Sequence, residues 1–116
     1  MSAGTYNILA EQGATFIRTV LYTDSAGDPI DLTGFTAAMQ IRSTASSGTV
    51  ILELTTENTR ITLGDAAGTV ILSVNASTMI SLTPGKFVYD LELYNGAEVT
   101  RLIEGSFTVK AEVTRA

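Results

Sequence analysis

Residues 85–113 read GKFVYDLELYNGAEVTRLIEGSFTVKAEV and contain the clearest structural pattern in the chain. Between Lys86 and Asn95, apolar and mostly polar positions alternate with the two-residue period of a strand that has one buried face. The buried phase holds Phe87, Tyr89, Leu91 and Leu93, and the outer phase holds Val88, Asp90, Glu92 and Tyr94. Asn95-Gly96 is a strong hairpin-turn signal, and residues 99–113 provide the returning strand.

This hairpin admits two registers. If Asn95-Gly96 is a two-residue turn, Asp90 lies opposite Arg101 on the outer face. A bulge near Gly105 is then needed to return the end of the second strand to the core. With a three-residue loop no bulge is needed, but Arg101 faces inward. We favour the bulge, because an arginine without a partner in the core costs several kcal/mol.

Short strands recur upstream of the hairpin at intervals of about 8–12 residues, and Gly, Asp, Asn and Pro separate them. They are predicted at residues 6–10, 15–23, 35–42, 50–54, 61–63 and 69–74. Only residues 75–82 suggest a helical turn, which Asn75 would cap and whose Met79 and Ile80 would face the core.

This succession predicts an all-β fold, an immunoglobulin-like antiparallel β-sandwich of about seven to nine strands. The length of 116 residues fits one domain, which we expect to cover residues 1–116. Its core is expected around Phe35, Met39, Leu72 and Phe87.

Composition removes most catalytic chemistry. The chain has no Cys and no His, so disulfides, thiolate metal sites and the commonest general base are excluded. The net charge is −5, and the seven basic residues are scattered singly, so we expect neither nucleic acid nor a membrane surface as partner. No apolar run approaches the roughly 20 residues of a membrane span, and the N-terminus lacks a secretion-signal pattern.

The candidate catalytic and ligand sites all have simpler structural interpretations. Asp24, Asp28 and Asp31 share one loop but lack the alternation and the distal Glu of a calcium loop. Asp90 and Glu92 are paired carboxylates on an exposed strand, where cross-strand pairing is the commoner role. Residues 64–68 are rich in Gly but precede no Lys or helix, so they form a turn. We therefore expect no enzyme activity, metal or cofactor.

Residues 15–23 pose a different question, because they are apolar on both faces of the strand. Phe16 and Val20 share one face, and Ile17 and Leu21 lie on the other. Such a strand is either central in a stack or half of a contact with another subunit. Arg18 is in phase with the inner residues, so it either reaches past the sheet end or meets a carboxylate.

The outer apolar residues define the predicted binding surface. We expect Ile17 and Leu21, together with the outward residues Val88 and Tyr94, to be covered by a protein partner.

Two stretches covering most of the chain carry a resemblance: residues 13–42, GATFIRTVLYTDSAGDPIDLTGFTAAMQIR, and residues 85–115, GKFVYDLELYNGAEVTRLIEGSFTVKAEVTR. The most similar parts are Gly13 with Phe16 and Arg18, Asp31-Leu32-Thr33-Gly34, Met39-Gln40-Ile41-Arg42, Tyr89-Asp90-Leu91-Glu92-Leu93, and Gly105 before Glu112-Val113-Thr114-Arg115. They resemble a family of small proteins encoded among the tail, baseplate and fibre genes of tailed bacteriophages and prophages.

This resemblance implies a virion structural protein, similar to the immunoglobulin-like modules by which baseplate upper proteins and fibre adaptors attach to a tail. It implies other phage structural proteins as partners, assembly in the host cytoplasm, and a homo-oligomer, for which a trimer suits fibre symmetry. A capsid decoration (cement) protein of the same fold is the alternative. A carbohydrate-binding module with Tyr6, Tyr22, Tyr89 or Tyr94 as its platform is a third hypothesis.

Overall fold

The computed structural model describes residues 4–113, so the ends of the predicted domain, including Thr114 and Arg115 of the resemblance, lie outside the described residues. Within this range the chain forms nine strands and one short helix. They are β1 (Gly4–Thr5), β2 (Ile8–Glu11), β3 (Phe16–Leu21), β4 (Thr36–Arg42), β5 (Leu52–Thr55), β6 (Ile61–Leu63), β7 (Thr69–Val74), α1 (Ala76–Met79), β8 (Gly85–Asn95) and β9 (Glu98–Lys110).

The strands form two sheets that pack face to face as a sandwich. The larger sheet has the order β5-β4-β8-β9, and both β1 and β2 add to the outer edge of β9. The smaller sheet has the order β3-β7-β6. The predicted immunoglobulin-like all-β fold is therefore confirmed. One part of the prediction needs correction: β1 and β2 run parallel to β9, whereas the other ladders are antiparallel.

Alternating apolar residues from both sheets fill the space between the layers. Met39 and Leu72 are completely buried, as predicted, whereas Phe35 and Phe87 are half-buried at the margin of the core. Phe107 lies at the centre, with its ring edge-on to Phe16 at a centroid distance of 5.5 Å. This contact joins β3 of the smaller sheet to β9 of the larger one.

The β8–β9 hairpin adopts neither predicted register. Asn95 pairs with Glu98, so the two loop residues are Gly96 and Ala97. Gly96 has a φ of 62° and is the first loop residue, which is the position that a type II′ turn reserves for glycine. The prediction assumed that Asn95 itself was in the loop, and the pairing is shifted because the strand includes Asn95.

The shift also moves the bulge. The register changes between Leu91 and Glu92, so the extra residue on β9 is Leu102 and not a residue near Gly105. Arg101 still faces outward, as predicted, but lies opposite Glu92 instead of Asp90. After the bulge, the end of β9 returns its apolar residues to the core.

The N-terminal segment is fixed to β9 by contacts around Gly105. Tyr6 N–H donates to Glu104 O at 2.9 Å, and the buried Tyr89 hydroxyl donates to Tyr6 O. Asn7 Oδ1 accepts from Ser106 N–H at 3.1 Å. A Cβ on Gly105 would lie 2.5 Å from Tyr6 O, so only glycine permits this approach.

The predicted helical turn is present but turns only one apolar residue inward. Asn75 Oδ1 accepts from Thr78 N–H at 2.9 Å and caps α1. Met79 is fully buried, as expected, whereas Ile80 is 53% exposed, contrary to the prediction. Ile80 is the residue that ends the helix, and it lies about 100° around the axis from Met79, on the solvent side. Residues 64–68 form a turn, as predicted, with a 3₁₀ segment at Asp65–Ala67.

Candidate protein-binding surfaces

The strands of the smaller sheet place no charged side chain on its outer face, and we call these outward residues the uncharged face. It consists of Ile17, Thr19 and Leu21 of β3, Thr62 of β6, and Thr69, Ile71 and Ser73 of β7. Ile17 is 55% exposed and Leu21 is 56% exposed. Arg18, the one charged residue in these three strands, has the opposite phase. These strand residues can therefore be buried without desolvating a charge of their own.

Arg18 lies at the open side of the sandwich, where β2 and β3 belong to different sheets. Its Nη2 donates to Leu9 O at 2.7 Å, and its Nη1 donates to Ile17 O at 2.9 Å. The guanidinium lies 5.0 Å from the centre of the Phe16 ring. Of the two predicted alternatives, Arg18 therefore reaches past the sheet and is held by backbone carbonyls instead of a carboxylate.

The outer face of the larger sheet has the opposite character, and we call it the charged face. It includes Gln40 and Arg42 of β4, Glu53 of β5, Val88, Asp90, Glu92 and Tyr94 of β8, and Val99, Arg101 and Glu104 of β9. Most of these polar groups bind one another across the strands.

Two hydrogen-bonded groups run across this face. Arg101 bridges the two carboxylates of β8, with its Nη2 2.9 Å from Glu92 Oε2 and its Nε 3.3 Å from Asp90 Oδ2. The Tyr94 hydroxyl donates to Glu92 Oε1 at 2.9 Å. In the second group, Arg42 Nη2 donates to Gln40 Oε1 at 2.6 Å, and Gln40 Nε2 donates to Glu53 Oε2 at 2.8 Å.

The protonation equilibria on this face follow from partial burial and these contacts. Burial raises the pKa of Asp90, and the neighbouring Glu92 carboxylate raises it further, while Arg101 opposes both. Burial also raises the pKa of Tyr94, with a further contribution from its hydrogen bond to Glu92. The hydrogen bond to Glu92 raises the pKa of Arg101. These carboxylates are thus paired across strands, the simpler of their two predicted roles.

A trough of about 700 Å³ lies on the charged face, between β9 and the loop that follows β4. Arg42 Nη1 donates to Ser47 O at 2.6 Å and holds this loop over the sheet. Arg42, Val88, Asp90 and Arg101 are among the residues that line the trough. Its charged groups are largely engaged with one another, so a ligand would have to compete with bonds that already exist.

The structure separates the four predicted interface residues into two pairs. Ile17 and Leu21 lie together on the uncharged face, and Val88 and Tyr94 lie on the charged face, on the other side of the sandwich. Val88 and Tyr94 are six residues apart on one strand, a separation of roughly 20 Å. Both are half-buried, and Asp90 and Glu92 lie between them.

Other exposed apolar residues were not predicted. Leu9 and Val99 are each 55% exposed, the first on β2 and the second opposite Tyr94 on β9. The pairing of Val99 with Tyr94 becomes visible only when the hairpin register is known. The exposure of Leu9 is still harder to predict from the sequence, because its strand has only four residues.

Asp24 and Asp31 accept hydrogen bonds from residues of their own loop. Asp24 Oδ1 accepts from Ala26 N–H at 2.9 Å and from Asp28 N–H at 3.0 Å. Hydrogen bonds from the Thr33 side chain and backbone lower the pKa of Asp31. Over residues 4–113, no three Asp, Glu, His or Cys side chains are grouped so that they could hold a metal ion.

Comparison of the chain with models of known protein families gave no match, and a comparison with curated proteins gave none either. In the described part of the chain, the helices are too short and too polar to span a lipid bilayer.

Proposed function

We propose that this chain is a structural module of a bacteriophage virion that binds other tail or baseplate proteins and has no catalytic role. The observation that carries the binding role is the uncharged face, on which Ile17 and Leu21 are each more than half exposed. The assignment to a virion comes from the resemblance of residues 13–42 and 85–115 to small tail, baseplate and fibre-associated proteins.

The uncharged face is suited to burial for energetic reasons. Covering the exposed part of Ile17 or Leu21 contributes roughly 1 kcal/mol each, about half the value of burying a whole aliphatic side chain. Threonine and serine occupy most of the remaining positions, and their hydroxyls find hydrogen-bond partners at a protein interface more easily than charges do. The charged face gains less from a partner, because covering it desolvates Arg101 and its two carboxylates.

A capsid decoration protein is the alternative within the same class. It would use the same fold and the same apolar surface, but its partner would be the head lattice instead of the tail. Both roles place the chain in the virion, after assembly in the host cytoplasm, and both require protein partners and not nucleic acid or lipid.

The tyrosine arrangement disfavours the carbohydrate-binding hypothesis. Tyr89 is buried and donates its hydroxyl to Tyr6 O. Tyr94 lies on the charged face, whereas Tyr22 follows β3 of the other sheet. A sugar platform needs aromatic rings exposed on one surface. These tyrosines are instead divided between the core and two different surfaces.

The test compares two aspartate substitutions on opposite faces. In phage particles assembled with the double variant Ile17→Asp/Leu21→Asp, we expect incorporation of the chain to be lost, because two buried carboxylates would face an apolar partner. Val99→Asp is the matched control, since Val99 is equally exposed but lies on the charged face. The isolated variants should keep the wild-type melting temperature. Normal incorporation of the double variant would contradict the proposal.

Reconstruction of particles that carry a labelled chain distinguishes the two virion positions. Density at the tail or baseplate supports the first role, and density on the head lattice supports the decoration role. Absence of the chain from purified particles would exclude both. Binding of glycans in calorimetry by the isolated chain would favour the carbohydrate hypothesis instead.

A further inference from the structure

The free edge of β3 has unused backbone hydrogen-bonding groups. Among residues 4–113, β3 pairs with β7 alone. Tyr22 N–H donates to Gly68 O at 2.8 Å, so Tyr22 and every second residue before it face β7. The N–H and C=O groups of Ile17, Thr19 and Leu21 therefore point away from the sheet. The Arg18 hydrogen bond to Ile17 O is consistent with this direction.

The position beside β3 is one that immunoglobulin domains often fill. In the common four-stranded sheet of this fold, the first strand of the chain pairs with the second. Here both N-terminal strands, β1 and β2, pair with β9 of the other sheet. No strand within residues 4–113 occupies the place next to β3, although its hydrogen-bonding groups are in position to receive one.

We propose that β3 of a second copy of this chain fills this place, in antiparallel pairing about a two-fold axis. Two such registers overlap the strand well, because outward-directed residues must pair with outward-directed residues. One is centred on Arg18 and sets two guanidinium groups opposite each other, which is unfavourable. The other is centred on Thr19 and moves the two Arg18 residues to diagonal positions, which reduces this repulsion.

The register centred on Thr19 is self-complementary. Thr19 pairs with Thr19 of the second copy, and Ile17 pairs with the second copy's Leu21, so the exposed apolar side chains meet on the uncharged face. Arg18 then lies opposite Val20 of the second copy. Ile17 O can keep its bond from Arg18 and accept a second one, because a carbonyl oxygen has two lone pairs. The three-stranded sheets of the two copies then join into one six-stranded sheet.

The charge distribution permits a second copy at this edge. The chain carries a net charge of −5, which opposes self-association over most of its surface. The strands of the smaller sheet contain no carboxylate, so two copies can approach here without that repulsion. A contact made by one strand is smaller than the roughly 1,200 Å² of a typical stable complex. We therefore expect a weak, concentration-dependent dimer, not the trimer that fibre symmetry alone suggests.

The test uses opposite charges at the symmetry axis. Thr19 is exposed, and Thr19→Lys places two ammonium groups against each other in the dimer, as Thr19→Glu does with two carboxylates. In sedimentation, we expect the wild-type chain to dimerise with rising concentration and each variant to lose the dimer. An equimolar mixture of the two variants should recover it. Thr62→Lys is the control, because Thr62 lies on the same face but its backbone faces β7.

Amide exchange provides a second measurement on the wild-type chain. Exchange of the Thr19 and Leu21 amides should slow as the concentration rises, because these N–H groups become hydrogen-bonded in the dimer. A chain that stays monomeric, a trimer, or equal loss of association in Thr19→Lys and Thr62→Lys would each overturn the strand pairing. These tests use the isolated chain, so their failure can be told apart from failure of virion incorporation.

Discussion

The two sheets of this sandwich differ in the charge of their outer faces and in the pairing of their edge strands. The larger sheet accepts both N-terminal strands along β9 and covers its outer face with charges that bind one another. The smaller sheet leaves β3 at an open edge, and its strands place no charged side chain on the outer face. In the larger sheet, most outer polar groups are therefore bonded within the chain. In the smaller sheet, apolar side chains and the edge backbone groups of β3 remain available for a partner.

This difference shows that exposure by itself does not identify a binding surface. Val99 and Ile17 have the same fractional exposure. Val99, however, lies on a face where a partner must also cover Arg101 and its carboxylates, and the desolvation of these groups offsets the gain from the apolar contact. The adjacent residues on the face of Ile17 are Thr19 and the paired Ser73, which carry no charge, so more of the gain is retained.

The largest effect should come from Gly105→Ala, which tests why the N-terminal strands join the larger sheet. The new Cβ would lie 2.5 Å from Tyr6 O and 2.8 Å from Asn7 Oδ1, so the segment must move away from β9. We expect a loss of about 2–4 kcal/mol in the free energy of unfolding, measured by denaturant titration. Gly48→Ala is the control, because its Cβ would meet no atom within 4 Å. Equal stability of both variants would contradict this account.

Tyr89→Phe should have the next largest effect, because it removes the hydroxyl that holds Tyr6 O. A loss of about 1–2 kcal/mol is expected at neutral pH. Burial raises the pKa of Tyr89 above its unfolded value, so its contribution is complete below about pH 10 and declines as the pH rises further. The phenylalanine variant should lack this part of the alkaline loss. Tyr22→Phe, outside this contact, serves as the control in the same titration.

Thr59→Gly should stabilise the connection that carries the chain from the larger sheet to the smaller one. Thr59 has a φ of 65°, which is unfavourable for a β-branched residue. Relief of this strain, less the added flexibility of glycine in the unfolded chain, should raise the free energy of unfolding by about 0.5–1 kcal/mol. Thr49→Gly, in a loop without positive φ, should show no gain in thermal melting.

The smallest effect concerns the charged face and appears as a pH dependence. The pKa of Asp90 is raised by burial and by Glu92, so folding favours its protonated form, and the associated stability is lost as pH rises through the folded pKa. Asp90→Asn should therefore gain stability relative to the wild type between pH 3 and pH 7, as measured by chemical denaturation at both pH values.

Asp31→Asn provides a comparison of opposite sign. Hydrogen bonds from Thr33 lower the pKa of Asp31, so its contribution is present above the unfolded pKa and is lost as pH falls through the folded value. This variant should lose stability relative to the wild type over the same rise in pH. The same sign for both variants would contradict the opposite pKa shifts of Asp90 and Asp31.

Local patterns were enough to predict the strands and the direction of most side chains. The alternation in β8 placed Tyr89, Leu91 and Leu93 in the core, Met39 and Leu72 are buried as predicted, and Asn75 identified the helical turn. The phase of β3 alone predicted that Ile17 and Leu21 would share one face. Side-chain direction in a strand depends on neighbours only two residues away, so the sequence contains this information directly.

Pairing between distant segments could not be predicted in the same way. The hairpin register depends on whether Asn95 belongs to the strand or the loop, and this choice shifts Arg101 from Asp90 to Glu92. Nothing local indicates that Tyr6 lies against Gly105, since these residues are about 100 positions apart and their approach depends on a missing side chain.

The amino-acid sequence therefore determined which residues form strands, which of their faces is apolar, and that His- and Cys-based chemistry is absent. Only the tertiary structure decided that the N-terminal strands join β9 and leave β3 open, and that the four predicted interface residues lie on two opposite surfaces. Alternation fixes the face of each residue within its own strand, whereas the choice of neighbouring strand depends on packing and hydrogen bonds across the whole sandwich.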